Sequence, residues 1–169
     1  MRKYDIPKLL LSGENQGVEF KEAKNSFPKD GMKTICSFAN TNNGLLILGV
    51  SENTKNKDFY ISGVNDPDKV LDELYSLLNN PNKINRNVIN EESVEVVNIK
   101  GKEIVIIPVN KVDYKDKPIY LNDNIASTYF RQGTGDFRCS QEQINSMLRD
   151  SAKEGFFYFR LRYRNNKAI

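Results

Sequence analysis

The sequence predicts a single α/β or α+β domain in which helices pack on a mixed β-sheet. Residues 35–50 carry most of this prediction, because an apolar helical pattern ends near Asn43-Gly44 and leads directly into a strand. The run from Leu45 to Leu48 lacks polar alternation, so both faces of that strand should be covered. The segments follow in the order β-α-β-β-α, then four strands and a helix, which also favours a mixed sheet.

Four helices are predicted, each from a recognisable boundary. The first covers residues 5–13 and ends at a glycine, and the second covers about 30–41, with Asn43-Gly44 as a left-handed C-terminal cap. Asp66-Pro67 opens the third, because aspartate caps a helix and proline fits its first turn. Residues 140–143 have the capping-box pattern and begin the fourth.

Strands are predicted from β-branched and aromatic runs that turn residues bound. Two of them should form a hairpin at Lys100-Gly101, and the second of these should end at Pro108 or run along an edge of the sheet. The predicted strands are Val18–Lys21, Gly44–Ser51, Phe59–Ile61, Val94–Ile99, Glu103–Ile107, Ile119–Leu121 and Ser127–Arg131.

Histidine is absent, which excludes Ser-His-Asp and Cys-His nucleophilic catalysis and zinc sites built on imidazole. Cys36 and Cys139 are too few for an all-thiolate zinc site, and they are predicted to be reduced thiols of a cytosolic protein rather than a disulfide. Any metal ion must then be bound by oxygen ligands, which favours magnesium, manganese or calcium. The P-loop motif of nucleotide-binding proteins is also absent.

The chain has no apolar run near the ~18 residues that span a bilayer and no signal-peptide pattern, so a cytoplasmic protein without membrane contact is expected. Its net charge of +3 is unevenly distributed. Residues 151–169 carry five basic residues against one acidic residue. Residues 1–150 are therefore predicted to form the domain, and residues 151–169 a basic aromatic C-terminal tail or arm.

Three glutamates mark the ends of the first and central strands. Glu14 and Glu19 lie at the mouth of the first strand, and Glu52 follows the central strand. If these strands are neighbours, the carboxylates converge near one end of the sheet, where they repel unless they are protonated or bridged by a divalent cation. The alternative is that Glu14 is a solvated loop residue, that Glu52 starts a polar turn, and that Glu19 pairs with Lys21 or Arg131.

A set of short motifs stands in a fixed order between residues 10 and 150. They are Glu19-Phe20-Lys21, Ser37-Phe38-Ala39-Asn40-Thr41, Asn43-Gly44, Leu48-Gly49-Val50, Ile104 to Val109, Lys117-Pro118-Ile119-Tyr120-Leu121 and Tyr129 to Thr134. Together they closely resemble the AlbA-like domain of the Schlafen family. The resemblance implies a single Schlafen-type lobe that acts on RNA or single-stranded DNA.

Schlafen nucleases carry a similar carboxylate trio. The resemblance therefore implies that Glu14, Glu19 and Glu52 are catalytic, bind Mg²⁺ or Mn²⁺ and cleave RNA, with the ion activating a water and offsetting charge on the phosphate. In eukaryotic relatives two such lobes surround folded RNA, so a single lobe is expected to form a homodimer. Many bacterial relatives are instead described as DNA-binding or regulatory modules.

Two basic residues lie within the same motifs. Lys21 shares a strand face with Glu19, so it either contacts a phosphate or pairs with that carboxylate. Arg131 precedes Gly133 and Gly135, where backbone amides and the guanidinium suit a phosphate oxygen. The alternative is a glycine turn whose arginine supports a loop.

Residues 156–164 interleave aromatic residues with Arg160, Arg162 and Arg164. Bases can stack on such rings while guanidiniums neutralise phosphates, at about 1–3 kcal/mol per stacked base. The pattern also fits a strand that buries its rings, as an added edge strand or a dimer arm, and the strand is the preferred interpretation.

The leading functional prediction is a domain that binds RNA or single-stranded DNA, either with metal-dependent RNA cleavage or as a plain binding module. A second hypothesis is a regulatory module that binds a nucleotide or a protein and controls a transcription factor. A third is a catalytically inactive structural or toxin–antitoxin partner.

Overall fold

The computed structural model describes the backbone of residues 3–165 and the side chains of residues 3–153. This part of the chain has the predicted mixed α and β architecture, with a four-stranded sheet, two two-stranded sheets and four α-helices. The helices are α1 (Ile6–Ser12), α2 (Gly31–Asn40), α3 (Pro67–Leu78) and α4 (Gln141–Asn165). The strands are β1 (Val18–Lys21), β2 (Gly44–Leu48), β3 (Val50–Glu52), β4 (Phe59–Ile61), β5 (Glu95–Ile99), β6 (Lys102–Val109), β7 (Tyr129–Gln132) and β8 (Gly135–Arg138).

The main sheet has the strand order β1-β2-β6-β5 and is mixed. β1 runs parallel to β2, with Val18 opposite Leu45 and Lys21 opposite Leu48. β6 is antiparallel to both β2 and β5. The predicted β5–β6 hairpin is therefore confirmed, and the first and central strands are neighbours, which was the condition for the glutamates to converge. β6 continues through Pro108 to Val109 as an interior strand, so the end or edge predicted at Pro108 is wrong.

Both faces of β2 are covered, as its unbroken apolar run predicts. Leu46 and Leu48 belong to the larger core cluster, which also contains side chains of α2 and α3. On the other face, Ile47 packs in a second cluster with Phe20 and with Ile6 of α1. Each large apolar side chain that is fully buried stabilises the fold by roughly 1.5–3 kcal/mol, so these two layers fix β1 and β2 in place.

Side-chain caps begin three of the helices. Asp5 and Asp66 each accept a hydrogen bond from the backbone N–H three residues later. The predicted capping box is complete, because the Ser140 hydroxyl accepts from the backbone N–H of Gln143 while the Gln143 side chain accepts from the N–H of Ser140. These helix starts are local features, which explains why the sequence predicts them well.

The central segment forms two strands instead of the single predicted one. Gly49 has a φ of 92°, which favours glycine, and its carbonyl accepts hydrogen bonds from the N–H groups of Ser62 and Gly63. The chain bends there, and β3 leaves the main sheet to pair with β4. Glu52 is thereby placed on a separate two-stranded sheet, opposite Phe59.

Gly44 provides space and does not form the predicted left-handed cap. α2 ends at Asn40, its cap residue Thr41 has a φ of −114°, and Gly44 is the first residue of β2. A Cβ atom on Gly44 would overlap the ring of Phe38. Glycine at this position therefore lets α2 pack closely on the start of β2.

The strand predicted over 119–121 is also wrong. Tyr120 and Leu121 form only single β-bridges, with Thr128 and Ile84 respectively. The strand predicted over Ser127–Arg131 is present as β7, at Tyr129–Gln132. Its partner β8 is not among the predicted strands. Three residues without a continuous partner strand cannot form a ladder, and a sequence pattern does not reveal that partner.

The strand predicted over 156–164 is wrong, because Gln141–Asn165 forms one continuous helix. In the sequence, Phe156, Phe159 and Tyr163 follow one another at intervals of three and four residues, so the segment fits a helical period as well as an alternating one. Three of the predicted nucleic-acid contacts have side chains outside the described residues. They are Arg160, Arg162 and Arg164.

Cys36 and Cys139 are both free, as predicted, and both are buried. Burial raises the pKa of the Cys36 thiol to about 12. Among residues 3–165, no helix combines the length and the apolar character needed to cross a membrane.

Candidate functional site

Glu19 lies at the centre of an ion-pair network that joins β1 to the β7–β8 hairpin. Its Oε2 accepts a hydrogen bond from Arg131 Nη2 at 2.9 Å, and its Oε1 accepts one from Lys21 Nζ at 3.2 Å. Lys21 Nζ also donates to Asp30 Oδ2 at 2.8 Å. Burial lowers the pKa of Lys21, but the hydrogen bond to Asp30 and the charge of Glu19 outweigh it and the pKa is raised. Glu19 thus pairs with both cations that the alternative interpretation named.

Arg131 is the most enclosed member of this network, with a side chain only 1% exposed. Its Nη1 donates to Asp136 Oδ1 at 3.1 Å, and its Nη2 donates to the carbonyls of Asn15 and Val18 at 2.9 and 3.3 Å. The guanidinium also lies 5.0 Å from the centre of the Phe38 ring, within the range of a cation–π contact. Arg131 therefore supports the hairpin, and its guanidinium is enclosed rather than open to the predicted phosphate.

Further hydrogen bonds fix the same hairpin. The second carboxylate oxygen of Asp136 accepts from the Thr34 hydroxyl of α2 at 2.8 Å. The backbone N–H of Arg131 donates to the Thr41 hydroxyl at 2.8 Å, and the Gln16 side chain donates to the Arg131 carbonyl at 3.0 Å. One face of the hairpin is thus attached to α2 and to the segment before β1.

Glu14 lies beside the network and lines a cleft of about 370 Å³. Its Oε1 accepts a hydrogen bond from the backbone N–H of Phe20 at 3.1 Å. Burial raises the pKa of the Glu14 carboxyl and the charge of Glu19 adds to the rise, whereas the Phe20 hydrogen bond and the charges of Lys21 and Arg131 oppose it. The structure therefore brings Glu14 and Glu19 close enough to influence each other.

Glu52, the third predicted metal ligand, does not complete a metal-binding group with them. It is exposed at the end of β3, because the chain bends at Gly49. Among the described side chains, no three acidic, cysteine or histidine residues are grouped so as to hold a metal ion. Mg²⁺ and Mn²⁺ need available oxygen ligands, yet both oxygens of Glu19 already accept hydrogen bonds from cations. This arrangement does not fit the divalent ion that the resemblance implies.

A second site lies on the same hairpin, where two cations contact the ring of Tyr129. Lys33 Nζ is 5.2 Å and the Arg138 guanidinium carbon 5.8 Å from the centre of the Tyr129 ring. Arg138 also donates a hydrogen bond to the Tyr129 hydroxyl at 3.3 Å. The strand register sets this geometry, since Tyr129 on β7 is directly opposite Arg138 on β8, while α2 supplies Lys33.

The Tyr129 ring borders a groove of about 560 Å³, which we call the Tyr129 groove. Its lining combines three lysines with apolar and other uncharged residues: Lys29, Lys33, Lys83, Phe27, Pro28, Met32, Leu77, Leu121, Asn122 and Tyr129. Asp30 also lines it, but its carboxylate is paired with Lys21. None of the three lysines forms an ion pair with a carboxylate among the described side chains. The groove is therefore cationic, and its lysines have no acidic partner within the described fold.

Sequence reasoning missed the Tyr129 groove, because its lysines come from segments far apart in the chain. The pairing of Tyr129 with Arg138 in the hairpin could have been predicted. Gly133-Thr134 is a two-residue connection between β7 and β8. The strand register that such a turn sets pairs Tyr129 with Arg138. A turn signal at Gly133-Thr134 would thus have placed one cation beside the ring.

Residues 14–140 match the model of the Schlafen AlbA_2 family, and this range is most of the chain. The chain belongs to this family. The matched Schlafen AlbA_2 region begins at Glu14 and ends at Ser140, so it contains the Glu19–Arg131 network and the Tyr129 groove. Residues 151–169 lie outside it.

Two solved structures are similar to this Schlafen AlbA_2 domain. One is the N-terminal domain of a RecG-related protein from Nitrosomonas europaea, named for an ATP-dependent DNA helicase; it is 29% identical, with a TM-score of 0.55 over 73% of this chain and 82% of that one. The other is the DIP2311 protein from Corynebacterium diphtheriae, which is 20% identical, with a TM-score of 0.50 over 79% of this chain. The chain spans 24% of that protein, and the likeness supports the fold alone. None of the curated proteins is a significant sequence match.

Proposed function

We propose that this Schlafen AlbA_2 domain binds nucleic acid and holds the phosphate backbone at the Tyr129 groove. The observation that carries the proposal is the contact of Lys33 and Arg138 with the Tyr129 ring at the border of a groove that contains two further lysines. Phosphate contacts by lysine and arginine supply essentially all of the affinity of sequence-independent binding. Cations without a carboxylate partner in the described fold are the groups suited to that role.

The Tyr129 ring makes this cationic site more ordered than a set of free surface lysines. Cation–π contacts hold the ends of Lys33 and Arg138 near one ring, at about 0.5–1 kcal/mol each for exposed sites. Long side chains lose up to about 2 kcal/mol of conformational free energy when they are immobilised. Side chains already held by a ring lose less when a phosphate binds.

DNA is the first substrate class that we infer. The RecG-related neighbour is named for a DNA helicase and is 29% identical over 73% of this chain. The Schlafen resemblance adds RNA and single-stranded DNA as further candidates. All three belong in one experiment, since the phosphate backbone is common to them.

The test is fluorescence anisotropy with labelled single-stranded DNA, duplex DNA and RNA, at salt concentrations between about 50 and 200 mM. We expect the Lys33→Gln/Arg138→Gln double variant to bind at least one of these polymers about tenfold more weakly, with a shallower dependence on salt. The matched control is Lys8→Gln/Lys100→Gln, which removes the same charge from exposed positions outside the groove. Equal losses in the two double variants, or no binding by the wild type, would overturn the proposal.

Metal-dependent RNA cleavage is a separate hypothesis, which the Schlafen resemblance carries together with Mg²⁺ or Mn²⁺. It needs Glu14, Glu19 and Glu52 to act together, whereas Glu19 is engaged with Lys21 and Arg131. Labelled RNA incubated with Mn²⁺, Mg²⁺ or EDTA separates the two functions. From our proposal we expect the protein to bind RNA in the presence of EDTA as well as in its absence. Cleavage that requires metal and is lost in both Glu19→Gln and Glu52→Gln would establish the nuclease instead.

The homodimer implied by the single lobe belongs to the same proposal. Two copies would present two Tyr129 grooves to one polymer and raise its affinity without any new contact. Light scattering of the protein at several concentrations measures the mass directly. A monomer mass throughout would limit binding to one groove per polymer segment. A protein that binds no polymer at all would favour the regulatory hypothesis.

A further inference from the structure

The Tyr129 groove combines its cations with apolar surface. Phe27, Met32 and Leu121 line it, and these residues are only 7%, 8% and 6% exposed. Leu77 of α3 adds a half-buried side chain to the same lining. We call these four residues the apolar floor, because three of them are buried whereas two of the three lysines in the groove are exposed and form its rim. The volume of about 560 Å³ lies within the range of about 300–1,000 Å³ that is typical of sites for small organic groups.

Contacts within the protein fix the apolar floor in position. The backbone N–H of Phe27 donates a hydrogen bond to Glu73 Oε2 at 2.7 Å. A Cβ atom on Gly31 would overlap the Phe27 ring, so the glycine lets this ring lie against the start of α2. The N–H of Leu121 donates to the carbonyl of Ser127 at 3.0 Å. A site that is formed in advance loses little conformational freedom when a ligand binds.

The charges of the rim indicate what covers the floor. An uncharged apolar segment would leave the lysines without a partner, whereas a polyanion that carries apolar groups complements both parts of the groove. Nucleic acids combine phosphates with flat bases in this way. The cations come from separate segments of the chain: Lys29 and Lys33 near the start of α2, Lys83 after α3, and Arg138 on β8 beside the Tyr129 ring. Such a distribution suits the successive phosphates of a strand rather than the compact phosphate group of a free nucleotide.

Duplex and single strand differ in whether a base can reach the apolar floor. In a duplex the bases are paired and stacked inside the helix, so a surface groove meets phosphates and not base faces. In a single strand each base exposes its faces and can turn into the groove. We infer that the Tyr129 groove binds one unpaired base on its apolar floor while the lysines of the rim hold the neighbouring phosphates, so that the domain prefers single strands to duplexes. This inference rests on the proposed function and names its substrate class.

The first test varies the ligand and leaves the protein unchanged. Anisotropy of the wild-type protein would be measured with a labelled single strand, an abasic strand of equal length and the matching duplex. We expect the single strand to bind roughly 5- to 150-fold more tightly than the abasic strand, the gain typical of one bound base. It should also bind more tightly than the duplex. Equal affinity for the base-bearing and abasic strands would overturn the inference, because both carry the same phosphates.

The second test compares Leu77→Ala with Leu71→Ala. Leu71 is a matched control because it is also a half-buried leucine of α3 that packs against the same core, but it does not line the groove. We expect Leu77→Ala to weaken single-strand binding roughly 5- to 10-fold through lost apolar contact with the base. Its binding to the abasic strand should stay within about twofold of the wild type, and Leu71→Ala should match the wild type on both ligands. The thermal midpoint of each variant checks the fold, and equal losses in the two variants would contradict a base on the floor.

Unlabelled competitors test the other possible occupants of the groove. A mononucleotide that displaces the labelled strand as well as an oligonucleotide at the same nucleotide concentration would assign the groove to free nucleotides. A peptide of alternating glutamate and leucine that displaces the strand more strongly than the abasic strand does would assign it to a protein segment. Either result would overturn the inference. We expect the unlabelled single strand to compete most strongly.

The outcomes separate this inference from the proposed function. If the wild type binds base-bearing and abasic strands alike while Lys33→Gln/Arg138→Gln weakens both, the base site is overturned and the phosphate site at the Tyr129 groove stands. If the wild type binds no polynucleotide, both proposals fail.

Discussion

Arg131 and Arg138 belong to the same hairpin but have opposite surroundings. Arg131 is 2% exposed and pairs with Glu19 and Asp136, whereas Arg138 is exposed and contacts the Tyr129 ring. No carboxylate pairs with Arg138 among the described side chains. The same residue type thus stabilises the fold at one position and is available to a ligand at the other. The difference lies in where the fold supplies acidic partners.

The physical basis of this difference is desolvation. A buried guanidinium must be compensated by carboxylates and carbonyls, because an uncompensated buried charge costs several kcal/mol. An exposed guanidinium keeps its water and needs no partner. A ligand phosphate can therefore replace water at Arg138, but at Arg131 it would have to displace Glu19 or Asp136.

Replacing each arginine in turn tests most directly whether the two side chains differ in this way. Arg131→Met leaves Glu19 and Asp136 without their shared cation in a buried setting, so we expect the free energy of unfolding to fall by about 3–5 kcal/mol. Arg138→Met should change it by less than about 0.5 kcal/mol, since the side chain is exposed. Urea denaturation measures both. Similar values for the two variants would show that the Arg131 network does not stabilise the fold.

The carboxylates are predicted to differ in the same way as the arginines. Glu19→Gln keeps the shape but removes the charge that Lys21 and Arg131 share, so a loss of about 1–3 kcal/mol in unfolding free energy is expected. Glu52→Gln, at an exposed strand end, should lie within about 0.5 kcal/mol of the wild type. The same denaturation experiment applies. A stabilised Glu19→Gln variant would instead favour a carboxylate poised for another ligand, such as a cation.

In the Tyr129 groove, we expect substitutions of the lysines to change nucleic-acid binding and not stability. Lys29→Gln/Lys83→Gln removes two exposed cations that have no described acidic partner, so polynucleotide affinity should fall about tenfold. On single strands the slope of log affinity against log salt should flatten by about 0.7 for each phosphate that the variant no longer neutralises. Thermal unfolding of this variant should match that of the wild type. A change in stability without a change in affinity would assign these lysines to the fold.

Much of the fold could be predicted from the sequence, because its signals are local. Helix caps at Asp66 and Ser140, the apolar run of β2 and the hairpin turn at Lys100-Gly101 each depend on a few neighbouring residues. The bend at Gly49 could not be predicted, because it depends on hydrogen bonds from residues 62–63, which come from elsewhere in the chain. The helix over residues 156–164 was missed because its apolar residues fit two periods.

The candidate site was harder to predict than the fold. Glu19 was expected either to bind a metal ion or to pair with Lys21 or Arg131, but a sequence does not reveal that it pairs with both cations at once. Whether Glu52 joins them depends on the path of the chain after Gly49. The Tyr129 groove depends on the packing of α2 against β7, a long-range contact that residue spacing does not encode.

The smallest predicted effect concerns Glu14, which lies beside the Glu19–Arg131 network and lines a neighbouring cleft. Burial raises the pKa of its carboxyl above the ordinary value of 4.5, and the charge of Glu19 adds to this. The folded state therefore binds the Glu14 proton more tightly than the unfolded state does. Stability from this group is complete below the ordinary pKa and is lost as the pH rises through the folded pKa. Glu14→Gln keeps an acceptor for the Phe20 N–H but does not titrate.

We therefore expect the stability of Glu14→Gln, relative to the wild type, to rise with pH above 4.5 and then level off. Thermal unfolding of both proteins across this range measures the difference, and Glu52→Gln is the control, since it replaces an exposed glutamate outside the network. A constant difference at every pH would show that Glu14 has the same pKa in the folded and unfolded chains. In that case the Glu14 carboxyl would behave like an exposed group, and the enclosed network of Glu19 and Arg131 would have no effect on its pKa.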